Sequence, residues 1–296
     1  MKKHYLLLPA LLLLASCGGQ ASSISRVIHS SEIPSSSEPS QPSSELPSES
    51  SSGEESIPSS SSEAKPAADL SPAEYAQFPK LYLERLAQYK SYKAITTGKT
   101  TADIGMMKTD QSIDVTTIKG EYSYLKNVSN STFVNTFHEA FFHQDKAMYR
   151  DGEKDQFAVN GKDVYLDKYG VDPFSYCIEG YEVGEGCITE VKRVLGGEGY
   201  TYVLTFDVEK ATPNVRIQMK QFGGLKDYPV FSSIVITCQV QEDFTPIKLH
   251  VDAAYKATKN FLFDINTDCV QTYDVTFSQF DETIEVPHLS EAQEKI

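Results

Sequence analysis

The chain has 296 residues, 40% of them hydrophobic, with 27 Lys and Arg against 41 Asp and Glu, for a net charge of −14. That sign opposes nucleic-acid binding, which depends on neutralising phosphates, and no basic cluster is present to meet anionic lipid headgroups. No two cysteines have the CxxC spacing of a redox motif or a zinc knuckle.

At the N-terminus, Lys2 and Lys3 precede an apolar stretch, Tyr5 to Leu14, and then the small residues Ala15 and Ser16. This is the tripartite layout of a secretory signal peptide. The apolar stretch falls well short of the roughly 20 residues that a membrane-crossing helix needs. Leu14-Ala15-Ser16-Cys17 resembles the lipobox of bacterial lipoproteins. The resemblance implies that residues 1–16 are removed and that Cys17 is acylated and becomes the mature N-terminus. It places the protein on the extracytoplasmic face of the cell membrane. Two acyl chains hold a protein there stably where one would bind only marginally.

Residues 17–70 read as the lipid anchor and a tether. Between Ser35 and Glu63 there are 15 Ser, 6 Glu and 4 Pro in 29 residues. Such a segment buries too little apolar surface to offset the entropy of ordering. An acidic spacer of this length reaches roughly 40 Å even as a flexible coil. A glycosylated stalk or an interaction tail has a similar composition. Glu54-Glu55 lies within this segment and reads as solvated.

Residues 71–296 form the expected folded domain, with 33 acidic and 23 basic residues and hence a net charge of about −10. Ser71-Pro72-Ala73-Glu74 has the pattern of a capping box with Pro at the first helical position. Tyr75, Phe78, Tyr82, Leu86 and Tyr89 then recur at spacings of three and four, which predicts an amphipathic helix. Pro79 should kink or restart it, and it should end before Thr96.

Beyond the helix, period two dominates. Tyr200, Tyr202, Leu204, Phe206 and Val208 share one face, and Val215, Ile217 and Met219 alternate with Arg216, Gln218 and Lys220. Ile234, Ile236, Cys238 and Val240 repeat the pattern, as do Ile247, Leu249 and Val251, and Tyr273, Val275 and Phe277. Turn chemistry falls between these runs at Asp151-Gly152, Asn160-Gly161, Gly196-Gly197, Pro213-Asn214 and Asp243 to Pro246. Residues 95–165 alternate less cleanly, and 173–195 leave room for a second helix. Strands with one apolar and one polar face predict an antiparallel sheet buried on one side.

The expected class is α+β, mainly antiparallel β. One wide apolar face with one helix to cover it predicts a curved, unclosed half-barrel with the N-terminal helix against its concave face. The opening helix after a tether, the turn and strand Phe244 to Leu249, and the closing run Tyr273 to Pro287 resemble the LolA/LppX type of lipoprotein carrier. That closing run, read as a final strand, is similar to the end of Gram-positive lipoproteins of this kind. A closed lipocalin-like barrel or a sandwich would alternate in the same way.

The chemistry-bearing residues are few. His138-Glu139-Ala140-Phe141-Phe142-His143 is one residue too long for HExxH, which needs histidines at i and i+4 on one helix face. Five residues apart they diverge by about 140° on a helix and point to opposite faces of a strand. The segment therefore reads as a Phe-rich strand, with Phe133, Phe137, Phe141 and Phe142 as core or pocket lining. GxSxG, SxxK and phosphate-loop patterns are absent, and Gly196 to Gly199 reads as a hairpin turn. Asp281-Glu282 reads as a turn before the last strand, and Asp103, Asp110, Asp114 and Glu121 are too irregular for a calcium loop. Glu182, Glu185 and Glu190 read as a solvated loop. No metal, cofactor or catalytic set is expected. Cys177 and Cys187 would close a local loop if bridged, and Cys238 and Cys269 fall on the apolar parity of strands.

The functional expectation is a non-enzymatic lipoprotein binding a hydrophobic ligand on the concave face. The residues expected to line it are Phe78, Tyr82, Tyr202, Leu204, Phe206, Ile234, Ile236, Tyr273 and Phe277. Alternation alone is equally compatible with a filled core. A structural or adhesive module meeting a cell-envelope protein is the alternative, and a hydrolase would require histidines or carboxylates to converge on a pocket.

Overall fold

A computed structural model describes residues 67–296, apart from 104, 106, 132–134, 196–198 and 261–263. The signal peptide, Cys17, the tether with Glu54-Glu55, Phe133 and the Gly196-Gly197 turn lie outside the described residues.

Ser71 and Glu74 bond to each other, but they close a turn ahead of the helix and do not cap it. Ser71 N–H and Oγ–H both donate to the Glu74 carboxylate, at 2.9 and 2.6 Å. A 3-10 turn, Tyr75–Gln77, follows, and the α-helix proper, α1 (Phe78–Gln88), starts with Pro79 in its first turn. Proline lacks the amide that a helix interior must donate, so the helix begins at it instead of running through it.

Strands β1 (Tyr92–Asp103), β2 (Lys108–Lys119), β3 (Ser123–Asn130), β4 (Asn135–His143), β5 (Lys146–Arg150) and β6 (Ala158–Gly161) then meander outward, each antiparallel to the last. Helix α2 (Lys162–Tyr169) and a small hairpin, β7 (Cys177–Ile178) with β8 (Tyr181–Glu182), carry the chain back across the inner face. From there β9 (Ile188–Val194), β10 (Tyr200–Phe206), helix α3 (Pro213–Gly223), β11 (Val230–Val240), β12 (Pro246–Asn260) and β13 (Asp264–Ser278) return to the start. β13 pairs with β1, giving one eleven-stranded sheet in the order β6-β5-β4-β3-β2-β1-β13-β12-β11-β10-β9. Its edge strands β6 and β9 do not pair with each other, so the barrel stays open. The expected α+β half-barrel is the architecture present.

Several expectations need correction. Val215 to Met219 is not a strand but part of α3. Pro213 is in the first turn and Gly224, at φ 57°, closes the C-terminus. Pro213-Asn214 is therefore a helix start instead of a hairpin turn, and the apparent alternation was three apolar residues on a helix. The helix looked for within 173–195 lies earlier, as α2, where Gly161 precedes it and Gly170 at φ 79° ends it. Helix α1 therefore does not cover the concave face alone. The closing run does not continue as a strand to Pro287: β13 stops at Ser278, and positive-φ residues Gln279 and Asp281 turn the chain away. Asp281 then fastens the start of β1, its N–H donating to Ser91 O and its carboxylate accepting from Lys90 N–H.

The sheet is also not buried on one side throughout. Ala140, Phe142, Ala147 and Tyr149 pack inward against Tyr165 and Tyr169 of α2. On the opposite face Tyr124, Phe141 and Met148 are covered by Ile284, Val286 and Ala292 from the C-terminal segment, which ends in helix α4 (Leu289–Lys295). Burial on both faces removes the need for polar residues at every second position, which accounts for the poor alternation of residues 95–165.

The core also begins before Ser71. Ala68 is fully buried and bonds its N–H to Glu242 O, and Leu70 is buried beside it.

Candidate functional site

The inner face between α1 and the β7–β8 hairpin gathers most of the residues singled out from the sequence. Phe78, Tyr82, Tyr202, Leu204, Phe206, Ile234, Ile236 and Tyr273 belong to one buried cluster, with Phe277 packed against it. The period-two strands bring these side chains to the same face, and α1 lays its apolar side over them. Phe78 stacks on Tyr202 with ring centroids 4.1 Å apart and also meets Phe244. The Tyr202 hydroxyl accepts from Leu70 N–H at 3.2 Å and donates to Ala68 O, so residues 68–70 are tied to β10 of the sheet. Tyr273 stands opposite Gly98 in the β1–β13 register. A Cβ at Gly98 would lie 2.4 Å from the Tyr273 Cβ, so glycine is what admits the tyrosine there.

The β7–β8 hairpin projects into this region. Its two-residue turn, Glu179-Gly180, has both φ values positive, 52° and 82°. The flanking Ile178 and Tyr181 are buried in the core, Tyr181 against Phe206 and Phe231. Glu179 is half-buried. Its carboxyl interacts with Tyr82, Tyr181, Tyr273 and Cys238 and is the foremost charged neighbour of Tyr92. Burial pushes that carboxyl up to about 7, and no other group contributes. Burial likewise raises all four phenols and the Cys177 and Cys238 thiols. Glu179 was not among the expected site residues. The local clue was a Glu-Gly pair between apolar residues, where a two-residue turn is the natural reading.

The four cysteines Cys177, Cys187, Cys238 and Cys269 are free thiols, so the bridge considered between Cys177 and Cys187 is not formed. Cys187 donates to Lys210 O, and Cys177 lies 3.5 Å from Ser175 Oγ.

A second cluster lies under α2. His138, on β4 and fully buried, donates from Nδ1 to Asp151 at 2.9 Å and accepts at Nε2 from the Tyr165 hydroxyl at 3.0 Å. Burial alone would raise the Asp151 carboxyl. Hydrogen bonds from His138, Lys168 and Tyr169 outweigh it and hold the carboxyl well below the usual range. Burial lowers His138 and keeps it neutral at pH 7, with Asp151 opposing. The pair has the form of a base and its orienting carboxylate, but both imidazole nitrogens are taken and Tyr165, Tyr169, Tyr149 and Phe222 pack around the ring. No substrate atom can reach it. His143 points the other way, stacked on Tyr122, as the strand reading required. Beside this cluster is a cleft of about 260 Å³ bounded by Asn135, Asp151, Phe222 and Lys259. Among the described residues no group of His, Cys, Asp and Glu could hold a metal ion, and no helix is long and apolar enough to cross a membrane.

No protein-family model matches the chain, and no curated protein is significantly similar to it. Solved structures similar to it include the lipoprotein LppX from Mycobacterium tuberculosis, at 9% identity and a TM-score of 0.35, over 73% of this chain and all of that one. LprF from Mycobacterium bovis is 10% identical with a TM-score of 0.37, over 73% of this chain and 96% of that one. A LolA-superfamily protein from Nitrosomonas europaea is 11% identical with a TM-score of 0.28, over 72% and 94%. The likeness is one of fold. The strand order itself shows the unclosed antiparallel half-barrel that the sequence resemblance implied.

Proposed function

We propose that the protein is an extracytoplasmic lipoprotein, tethered through an acylated Cys17, whose concave face binds a hydrophobic ligand. The observation that carries this reading is Glu179. Its half-buried carboxyl stands on a turn between the core residues Ile178 and Tyr181 with no hydrogen-bond partner among the described residues, a placement that is costly in a filled core. It is far less costly beside a space that water or a ligand's polar end occupies. An apolar wall with a few convergent polar groups is the usual make-up of a small-molecule site. The edges β6 and β9 are not paired with each other, so the sheet does not close around its inner face.

The test is direct. The full chain carrying Cys17→Ala, which cannot be acylated, is purified without detergent and extracted with organic solvent. Close to one equivalent of an amphiphile per chain is expected by mass spectrometry, with uptake of a fluorescent apolar probe after delipidation. An empty extract together with no probe uptake would refute the binding reading and favour a surface interaction module.

A further inference from the structure

The cleft of about 260 Å³ beside His138 is enclosed by the start of β4, the residue after β5, the C-terminus of α3 and the end of β12. Strands β3, β2, β1 and β13 lie between β4 and β12, so sheet pairing does not bring these residues together. Helix α3 does. The Thr136 hydroxyl donates to Phe222 O at 3.1 Å, and the Lys259 ammonium donates to Gly223 O at 3.0 Å. Both bonds satisfy carbonyls at a helix end, which have no partner within the helix.

Holding the helix accounts for Thr136 and Lys259 but not for two other polar groups on the wall. Asp151 is fixed from behind by three donors: His138 Nδ1 at 2.9 Å, Lys168 Nζ at 2.8 Å and the Tyr169 hydroxyl at 2.7 Å. His138 and Tyr169 are fully buried, whereas the Asp151 side chain is 44% exposed and lines the cleft. A carboxylate offers about four lone-pair positions, so three donors leave one for a group inside the cleft. Gln221, exposed on α3, lines the same cleft, and its amide has no hydrogen-bond partner among the described residues. Phe222, held between the rings of His138 and Tyr169, adds a fixed apolar surface beside these groups.

The charges on the wall select against an ion. Lys168 already balances Asp151, and Lys259 stands on the same cleft, so a ligand cation would meet two ammonium groups and find no unmatched carboxylate. A ligand anion would meet the Asp151 carboxylate. An uncharged ligand is opposed by neither.

We propose that this cleft is a carbohydrate site that takes one uncharged sugar ring. Each hydroxyl of such a ring donates one hydrogen bond and accepts two, which suits a wall that offers a carboxylate, a primary amide and an ammonium. The C–H face of the ring rests on Phe222. The volume is below the roughly 300–1,000 Å³ of drug-sized pockets, so the cleft is matched to a single ring. The site is separate from the concave face and does not depend on that face holding a ligand.

The full Cys17→Ala chain is titrated at pH 6.5 with glucose, N-acetylglucosamine, glucosamine and glucuronate, following backbone amide shifts by nuclear magnetic resonance. Glucosamine is largely protonated at this pH and glucuronate is ionised, so the four rings differ chiefly in charge. Glucose or N-acetylglucosamine is expected to bind at least fivefold more tightly than either charged ring, with shifts at Gln221, Gly223 and Gly224. Gln221→Ala should weaken that binding at least threefold without lowering the melting temperature. Asp151→Asn should weaken it at least tenfold, and Gln221→Ala keeps the test intact if the loss of the His138 contact prevents that variant from folding. A preference for a charged ring, or no discrimination among the four, overturns the assignment of a neutral ligand. Absence of binding by all four rings, or binding that survives Gln221→Ala and leaves residues 221–224 unshifted, overturns the site itself.

Discussion

Arg150→Met tests how the two-sided wing of the sheet is held. Glu139 and Arg150 face each other across the β4–β5 register on the outer side. The Arg150 guanidinium donates twice to Glu139 Oε2, at 2.8 and 2.5 Å, while the Tyr124 hydroxyl donates to Oε1 at 2.7 Å. The side chains are only 12% and 2% exposed, so the charges are almost fully removed from water. Arg150 also donates to Glu153 O and lies over Phe157, 4.6 Å from its ring centroid. Replacing the arginine leaves a buried carboxylate with one hydroxyl partner. Breaking such a pair from one side costs about 3–5 kcal/mol, a large part of the stability of an ordinary domain. At ~2–4 °C per kcal/mol for a domain of this size, the melting temperature should fall by about 6–20 °C. Adding Glu139→Gln removes the stranded charge while keeping an acceptor for Tyr124, and should restore at least half of the loss. Urea denaturation of both variants provides the measurement. A single-variant cost below about 1 kcal/mol, or a double variant no better than the single, would refute the assignment of a buried, coupled pair.

Phe78→Ala removes the ring stacked on Tyr202 and should cost about 3–5 kcal/mol by chemical denaturation; a loss under 1 kcal/mol would mean that α1 is not seated on the sheet. Tyr202→Phe strands Leu70 N–H and Ala68 O and should cost about 1–3 kcal/mol, with faster proteolysis near residue 70 as a second reading. The Glu179 carboxyl is raised in the folded state to about 7 from an ordinary 4.5. The folded protein therefore holds this proton over a range where the unfolded chain has lost it, and stability falls as pH rises from about 4.5 through 7. The size of the effect is about 3 kcal/mol from 1.36 kcal/mol per pH unit. Glu179→Gln should flatten that slope, gaining on the parent protein at pH 8 and not at pH 4; identical pH profiles would exclude burial of the carboxyl.

The sheet was legible wherever strands bury one face. Tyr200 to Phe206, Ile234 to Val240 and Tyr273 to Phe277 place their apolar side chains inward as their alternation requires, because period two is a local property of the strand. The restart of the opening helix at Pro79 was legible for the same reason, since proline acts within its own turn, whereas Ser71 and Glu74 close a turn ahead of it. Where the reading went wrong, a flanking boundary signal was passed over or a distant segment had changed the meaning of a local pattern. Three apolar residues spaced by two fitted a strand equally well until Pro213 and Gly224 fixed them as a helix.

Sequence by itself determined the antiparallel strands, the amphipathic opening helix and the lack of an HExxH geometry at His138 and His143, since each follows from spacing along the chain. Tertiary structure alone decided that residues 284–292 cover the outer face of β3–β5, that His138 is sealed by Asp151 and Tyr165, and that Ile178 and Tyr181 carry the turn at Glu179 into the core. Those contacts join residues from 13 to about 170 positions apart. Whether a polar side chain in a loop meets water or aromatic rings depends on which distant elements close over it, and the residues beside it in sequence carry no trace of that.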